Sequence, residues 1–356
     1  MNSFDINSFD KNSFDKNSFI EVKNVNKSFK VSKRAKGIPG TIANLFIPKF
    51  EDKTAVRDIS FSINEGEMVG FIGPNGAGKS TTIKMLSGIL YPDSGDVRVN
   101  GYVPYKQRKE YVGSIGVVFG QKSQLQWDLP VIDSFELLKA IYRIPDAMYK
   151  KNLDRFVEML DMSEFISKPV RQLSLGQRMR ADIVAALLHS PKIVFFDEPN
   201  IGVDVVGKEK IRSFIKELNA TDKVTMIFTT HDMQDIEKTC NRLIIIDKGQ
   251  KIYDGSIHGI KEKYGQARLL EVEFSEQYDI AMIKNSVNNR IKDVEIKEAS
   301  DSEARKLQFI FDNTKVLIDE LMNYLLQNFS IKDINISEPD IEEIIGKIYE
   351  GEVQLI

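Results

Sequence analysis

The chain has 356 residues, 42 % of them hydrophobic and 28 % charged, with 49 Lys plus Arg set against 52 Asp plus Glu for a net charge of -3. That length exceeds what one ordinary core organises, so two domains are expected, and the composition is that of a globular protein rather than a disordered or fibrous one. The balanced charge gives no reason to expect nucleic acid or anionic lipid as the main partner, the single cysteine excludes an intrachain disulfide and suits a reducing cytosolic compartment, and no run of about 18 apolar residues is present to cross a bilayer. The first element is a repeat, Asn2-Ser-Phe-Asp5, Asn7-Ser-Phe-Asp10, Asn12-Ser-Phe-Asp15 and Asn17-Ser-Phe-Ile20. Its period is too short for a solenoid or propeller, its residues favour turns, and it has no apolar signal-peptide core, so residues 1–19 are expected to form a disordered leader. Ile20–Val25 alternates like a strand. A loop follows with Gly37, Pro39, Gly40 and Pro48, interrupted by the apolar segment Ile42–Ile47; its basic run Lys30–Lys36 reads as a solvated face. Alternation resumes from Ala55 to Ile63.

Glu67–Ile72 is a short apolar run suited to a buried strand, and Thr81–Leu90 has helical spacing and stops before Pro92. Between them stands Gly73-Pro74-Asn75-Gly76-Ala77-Gly78-Lys79-Ser80, which fits the phosphate-binding loop pattern G-x-x-x-x-G-K-[ST] at every fixed position. The glycines let the backbone curl and approach a phosphate, and the loop's N–H groups and the helix N-terminus beyond it favour negative charge. In this motif Lys79 reaches the β- and γ-phosphates and the Ser80 hydroxyl binds Mg²⁺. Strand, loop and helix are the context the motif requires.

Downstream, Ile115–Phe119 reads as a strand, and Ser134–Ile141, Tyr149–Leu160 and Gly176–Leu188 as helices, with Ser174 placed to cap the last. Lys192–Phe196 and Val224–Thr229 are apolar runs that each end in a polar turn, as strands of a parallel sheet do when their C-terminal ends carry chemistry. Leu243–Ile246 and Lys251–Tyr253 form an expected hairpin about Asp247-Lys-Gly-Gln250. The pattern changes near Gly265. Strands are expected at Leu269–Phe274, Ile291–Ile296, Leu307–Phe311 and Ile331–Ile336, and helices at Ile280–Val287, Lys315–Phe329 and Ile341–Tyr349. The order β-α-β-β-α-β with a last helix suggests a small ferredoxin-like α+β domain. The expected division is a leader at 1–19, a nucleotide-binding domain at 20–265 and an accessory domain at 266–356.

Taken together, the motifs between Ile20 and Gly255 resemble those of the ATP-binding cassette (ABC) family of transport ATPases. Leu173-Ser174-Leu175-Gly176-Gln177 resembles the family signature LSGGQ, departing from it at Leu175 in place of glycine. Asp197-Glu198, at the end of an apolar strand, resembles the second nucleotide motif. Gln121 matches the family's Q-loop, His231 its switch histidine, and Pro199-Asn200-Ile-Gly-Val-Asp204 its D-loop, with Asn200 and Val203 as mild departures. The wording of Val118–Pro130 and Pro169–Arg180 is similar to bacterial export-type ATPases, which are similar to drug-resistance ATPases that pair with six-helix permeases.

This resemblance implies an α/β P-loop NTPase cassette with a helical signature subdomain. It implies ATP bound by residues 73–80 and Thr81, with Phe29 stacked on adenine and a core aromatic as the alternative for that residue. Mg²⁺ would be held by Ser80 and Asp197 and sensed by Gln121. Glu198 would be the general base, His231 a γ-phosphate contact, and Ser174, Gly176, Gln177 and Asp204 contributions across a dimer interface. The expected partners are a second cassette and separate membrane permeases, which receive force at Lys122–Pro130, where Leu125 and Trp127 either meet the permease or pack in the core. The expected location is the cytoplasmic face of the membrane. A soluble regulatory cassette, or a nucleotide-binding sensor with little turnover, are the alternatives.

Overall fold

Strands Ile193–Asp197 and Thr225–Thr229 are buried along almost their whole length, which is why they read as unbroken apolar runs rather than as alternation: a parallel sheet covered on both faces has no polar side. A computed structural model describes residues 18–32, 50–120, 122–199, 203–230, 232–265, 267–276, 278–298, 306–337 and 340–350. The repeat at 2–17, the segment Ile42–Ile47, and Gln121, Asn200 and His231 lie outside the described residues. The described chain divides into two units, at Asp254 and Gly255.

In the first unit, strands β1 (Ile20–Ser32), β2 (Phe50–Ile63) and β4 (Ser94–Val99) form an antiparallel sheet in the order β2-β1-β4. A second sheet runs β5-β6-β7-β3-β8-β9, with β3 Met68–Ile72, β5 Ile115–Phe119, β6 Ile193–Asp197, β7 Thr225–Thr229, β8 Arg242–Asp247 and β9 Gln250–Ser256. Pairs β5/β6, β6/β7, β7/β3 and β3/β8 are parallel. One buried core lies between the two sheets and includes Ile20, Val56, Phe71, Phe195, Ile227 and Ile244.

Strand β1 continues well past Val25. Its register shifts between Val22 and Ser28, and Asn24 adopts a positive φ of 47°, so the turn-like composition there marks bulges, not an end. The early part of β2 was invisible to alternation because its side chains are exposed on both faces.

Helix α1 (Lys79–Leu86) follows β3, and α2 (Arg108–Tyr111) is one turn before β5. Between β5 and β6 the chain forms α3 (Val131–Tyr142), α4 (Asp146–Met159) and α5 (Leu175–Leu187). Pro130 and Pro145 stand immediately before the first two, where a missing N–H costs a helix nothing. Helices α6 (Val205–Asp222) and α7 (Met233–Thr239) follow β6 and β7.

The second unit opens with α8 (Ile257–Tyr264), so the division falls before Gly265. The reason is packing: Ile260 is fully buried, and a Cβ on Gly265 would lie 3.1 Å from Ile344 of α11 (Ile341–Glu350). Then come β10 (Ala267–Phe274), α9 (Ile280–Arg290), β11 (Val294–Glu298), β12 (Lys306–Asp312), α10 (Ile318–Asn328) and β13 (Ile331–Ser337). Their sheet is antiparallel, in the order β11-β12-β10-β13. Leu270, Val272 and Phe274 alternate inward and meet Ile283, Val287, Leu321 and Leu325 in a separate core. Strand β11 starts later than Ile291 because that residue closes α9, its N–H donating to Val287 O at 2.7 Å, and Asp293 takes a positive φ of 64°.

Candidate functional site

The loop from Gly73 to Gly78 leaves β3 at its C-terminal end and opens α1. No side chain caps this helix; Gly78, at φ 110°, occupies the N-cap, so the first-turn N–H groups are left for an anion. Gly78 is required by space as well as by conformation, because a Cβ there would lie 2.5 Å from Ala55 O of β2. A Cβ on Gly73 would meet Ile246 O at 2.4 Å. The β8–β9 turn also supports the loop, with Gly249 N–H donating to Ala77 O at 3.0 Å. Pro74, Asn75 and Gly76 form an exposed rim, whereas Gly73, Ala77, Gly78 and Lys79 are buried beneath it; Ser80 and Thr81 are half-buried.

Lys79 Nζ donates to Gly73 O at 2.6 Å and to Pro74 O at 3.2 Å, drawing the loop into a closed curl. Burial lowers the pKa of this ammonium, and the nearby charges of Glu198 and Asp197 pull it back up. Ser80 Oγ donates to Asp197 Oδ1 at 3.1 Å. The same carboxylate oxygen accepts from Thr229 Oγ at 2.6 Å. Glu198 follows with a positive φ of 57°, costing on the order of 1–2 kcal/mol, and is held there by its N–H donating to Thr229 O at 2.9 Å. This arrangement comes from the sheet order: β3, β7 and β6 lie side by side, so Lys79 and Ser80 from one strand end meet Asp197 and Glu198 from another, with Thr229 between them.

A hydroxyl and a carboxylate oxygen 3.1 Å apart are hard oxygen donors of the kind Mg²⁺ takes alongside phosphate and water. Among the described residues no cluster of three His, Cys, Asp or Glu that could hold a metal ion occurs.

Two residues of this group carry no motif of their own. Thr229 fastens Asp197 and Glu198 together, and only its place at the end of a buried strand hinted at that. Gly120, next to Gln121, donates its N–H to Asp197 O at 2.8 Å, and a Cβ on it would lie 2.0 Å from Glu198 O.

The signature residues lie elsewhere. Ser174 is exposed and caps α5: Gln177 N–H donates to Ser174 Oγ at 3.2 Å and Ser174 N–H to Gln177 Oε1 at 3.0 Å, a reciprocal capping box. A Cβ on Gly176 would touch Val203 at 3.6 Å. Asp204 caps α6 by accepting from Gly207 N–H at 2.7 Å, ahead of Val205 and Val206, which are 83 % and 66 % exposed. Phe29 is 38 % exposed on β1 and not a core residue, with Lys27 Nζ 5.6 Å from its ring centre. Leu125 is buried, whereas Trp127 is 54 % exposed, so the two residues part company. Gln121 and His231 fall outside the described residues.

A family model described as ABC transporter matches residues 56–200. The linearmycin resistance ATP-binding protein LnrL of Bacillus subtilis (strain 168) is 30 % identical over 297 residues, covering 82 % of this chain and 92 % of that protein. The Nod factor export ATP-binding protein I of Ralstonia nicotianae (strain ATCC BAA-1114 / GMI1000) is 32 % identical over 59 % of this chain and 65 % of its own. Among solved structures, the dimeric post-hydrolysis state of the ATP-binding cassette MJ0796 bound to ADP and Pi is similar with a TM-score of 0.57 at 27 % identity, over 67 % of this chain and 98 % of that one.

Proposed function

The chain belongs to the ABC transporter family as an ATP-binding subunit with ATPase activity, and from that premise we propose that two cassettes close on shared ATP to drive separate membrane subunits in an export direction. The observation that carries this reading is the convergence of Lys79, Ser80, Asp197 and Glu198 on one end of the sheet. The loop N–H groups and Lys79 bind the phosphates. Ser80 and Asp197 would hold Mg²⁺, which neutralises phosphate charge when bound. Glu198 orients the attacking water and accepts its proton as the oxygen attacks phosphorus in line with the departing ADP oxygen. His231 and Gln121 contact the γ-phosphate and the water in this reading.

The second copy completes the site. Its Ser174, Gly176 and Gln177 bring the positive end of α5 to the γ-phosphate, and its Asp204 holds the neighbouring turn in shape. Leu175 narrows that approach relative to glycine. ATP favours the closed pair because both cassettes bind the γ-phosphate; cleavage removes that shared group, and the pair opens.

Among the described residues no helix is long and apolar enough to cross a membrane. In this reading the work falls on partner proteins at the cytoplasmic face. Trp127 and Leu129, both exposed, with Leu137 and Ile141 one turn apart on α3, offer the apolar surface for them. The names of LnrL and the Nod factor protein support export and resistance as the kind of transport.

The test is Glu198→Gln in the full chain. ATPase turnover should fall on the order of 10²–10⁴-fold while MgATP converts the protein to a dimer by size-exclusion chromatography. A monomer at saturating MgATP would remove the shared-nucleotide reading and favour a regulatory cassette.

A further inference from the structure

Helix α5 carries one acid inside an apolar stretch. Residues Ala181 to Leu187 are all buried, and Asp182 among them is only 4 % exposed. A carboxylate in such a place is tolerated only with hydrogen-bond donors. Asp182 Oδ1 accepts from Ser123 Oγ and from the Gln124 backbone N–H, both at 2.9 Å. Burial pushes its carboxyl up to about 6, against the opposing pull of those donors and of Arg178. Ser123 Oγ also accepts from Leu125 N–H at 3.1 Å, and Gln124 Nε2 donates to Val117 O at 3.0 Å. The segment is thereby pinned in one shape between β5 and α5.

Ser174, Arg178 and Asp182 recur every four residues, so they lie along one face of α5 over about 12 Å. The Arg178 guanidinium lies 5.9 Å from the Trp127 ring centre. Just ahead of the helix, Arg171 N–H donates to Trp127 O at 3.0 Å and its guanidinium to Asp128 at 3.1 Å. The face headed by the capping serine therefore grips the 123–128 segment at both ends.

We propose that Asp182 is a positioning residue that locks the Ser123–Trp127 segment to the helix headed by Ser174, so that nucleotide engaged at that helix end moves the exposed Trp127 surface with it. This rests on the roles proposed above for Ser174 and for the Trp127 surface. Asp182 is the only acid of α5, and its neighbours from Ile183 to Leu187 offer no side-chain acceptor.

Trp127 is the only tryptophan, so its emission reads this segment in the full-length protein. In the Glu198→Gln background, MgATP should change that emission, and Asp182→Ala should abolish the change. In the native background Asp182→Ala should lower kcat roughly 2- to 30-fold with little change in KM for ATP. Asp182→Asn keeps an acceptor oxygen and should restore both readings. If Asp182→Ala does not fold, Ser123→Ala removes one donor at an exposed position and should diminish the emission change. Full emission responses in Asp182→Ala or, failing that, in Ser123→Ala would overturn the lock, as would an Asp182→Asn defect as deep as that of alanine. If the native protein hydrolyses ATP and the Glu198→Gln parent dimerises with MgATP while its tryptophan stays silent, this inference alone is overturned; if the native protein does not hydrolyse ATP and the Glu198→Gln parent does not dimerise, the functional reading beneath it is overturned.

Discussion

Gly120 and Asp182 are each explained by a residue far away in sequence. Gly120 has no room for a methyl group, because the Glu198 carbonyl oxygen occupies that space at 2.0 Å. Gly120→Ala is therefore expected to displace Glu198, lowering ATPase turnover and costing about 1–3 kcal/mol in a denaturant melt; unaltered values in both would show that the two loops yield freely. Asp182 brings a pH effect of defined sign. Between its ordinary 3.8 and about 6, the unfolded chain has lost a proton that the folded chain keeps, so stability falls as pH rises through that window. Asp182→Asn should lack this component: its thermal midpoint relative to the native protein should climb between about pH 4 and 6 and level off above. A difference that stays flat with pH would place the carboxyl at its ordinary value.

At the level of elements, the N-terminus of α5 has two separable jobs. As a cap, Ser174 satisfies backbone N–H groups, and Ser174→Ala should cost about 1 kcal/mol. Ser174→Asp caps about equally well but sets a negative charge where the second cassette's γ-phosphate is proposed to bind. Its melt should stay near that of the native protein while ATPase activity collapses. Activity retained in the aspartate variant would limit Ser174 to capping. The cap at Ser174 was legible in the sequence, because a serine stood just before the helical run; its reciprocal bond with Gln177 came from the structure. The extension of β1 past Val25 was not, because bulges break the two-residue period that reveals a strand.

Among the described residues each unit has its own core and the two share no residue, one centred on Phe71, Phe195 and Ile227 and one on Leu270, Phe309 and Leu325. Calorimetry of the full chain should resolve two unfolding transitions. MgATP should raise only the one belonging to the first unit, by about 2.7 kcal/mol at a hundredfold excess over Kd. A single transition, or equal shifts of both, would mean that the units unfold as one.

Contiguous chemistry is what the sequence by itself determined. Residues 73–80 lie on one curl between a strand and a helix, so their order along the chain is also their order in space, and an Asp-Glu pair closing an apolar run announces itself in the same way. Tertiary structure alone decided what meets what. Strand β3 lies between β7 and β8, an order no local pattern encodes, and it brings Ser80 to Asp197 and Thr229 across more than a hundred residues. The need for glycine at 120 and for an acid at 182 arises the same way. Asp182 was not singled out from the sequence; packing alone set Ser123 and Gln124 against it, because a hydrogen bond is specified by three-dimensional proximity and not by spacing along the chain.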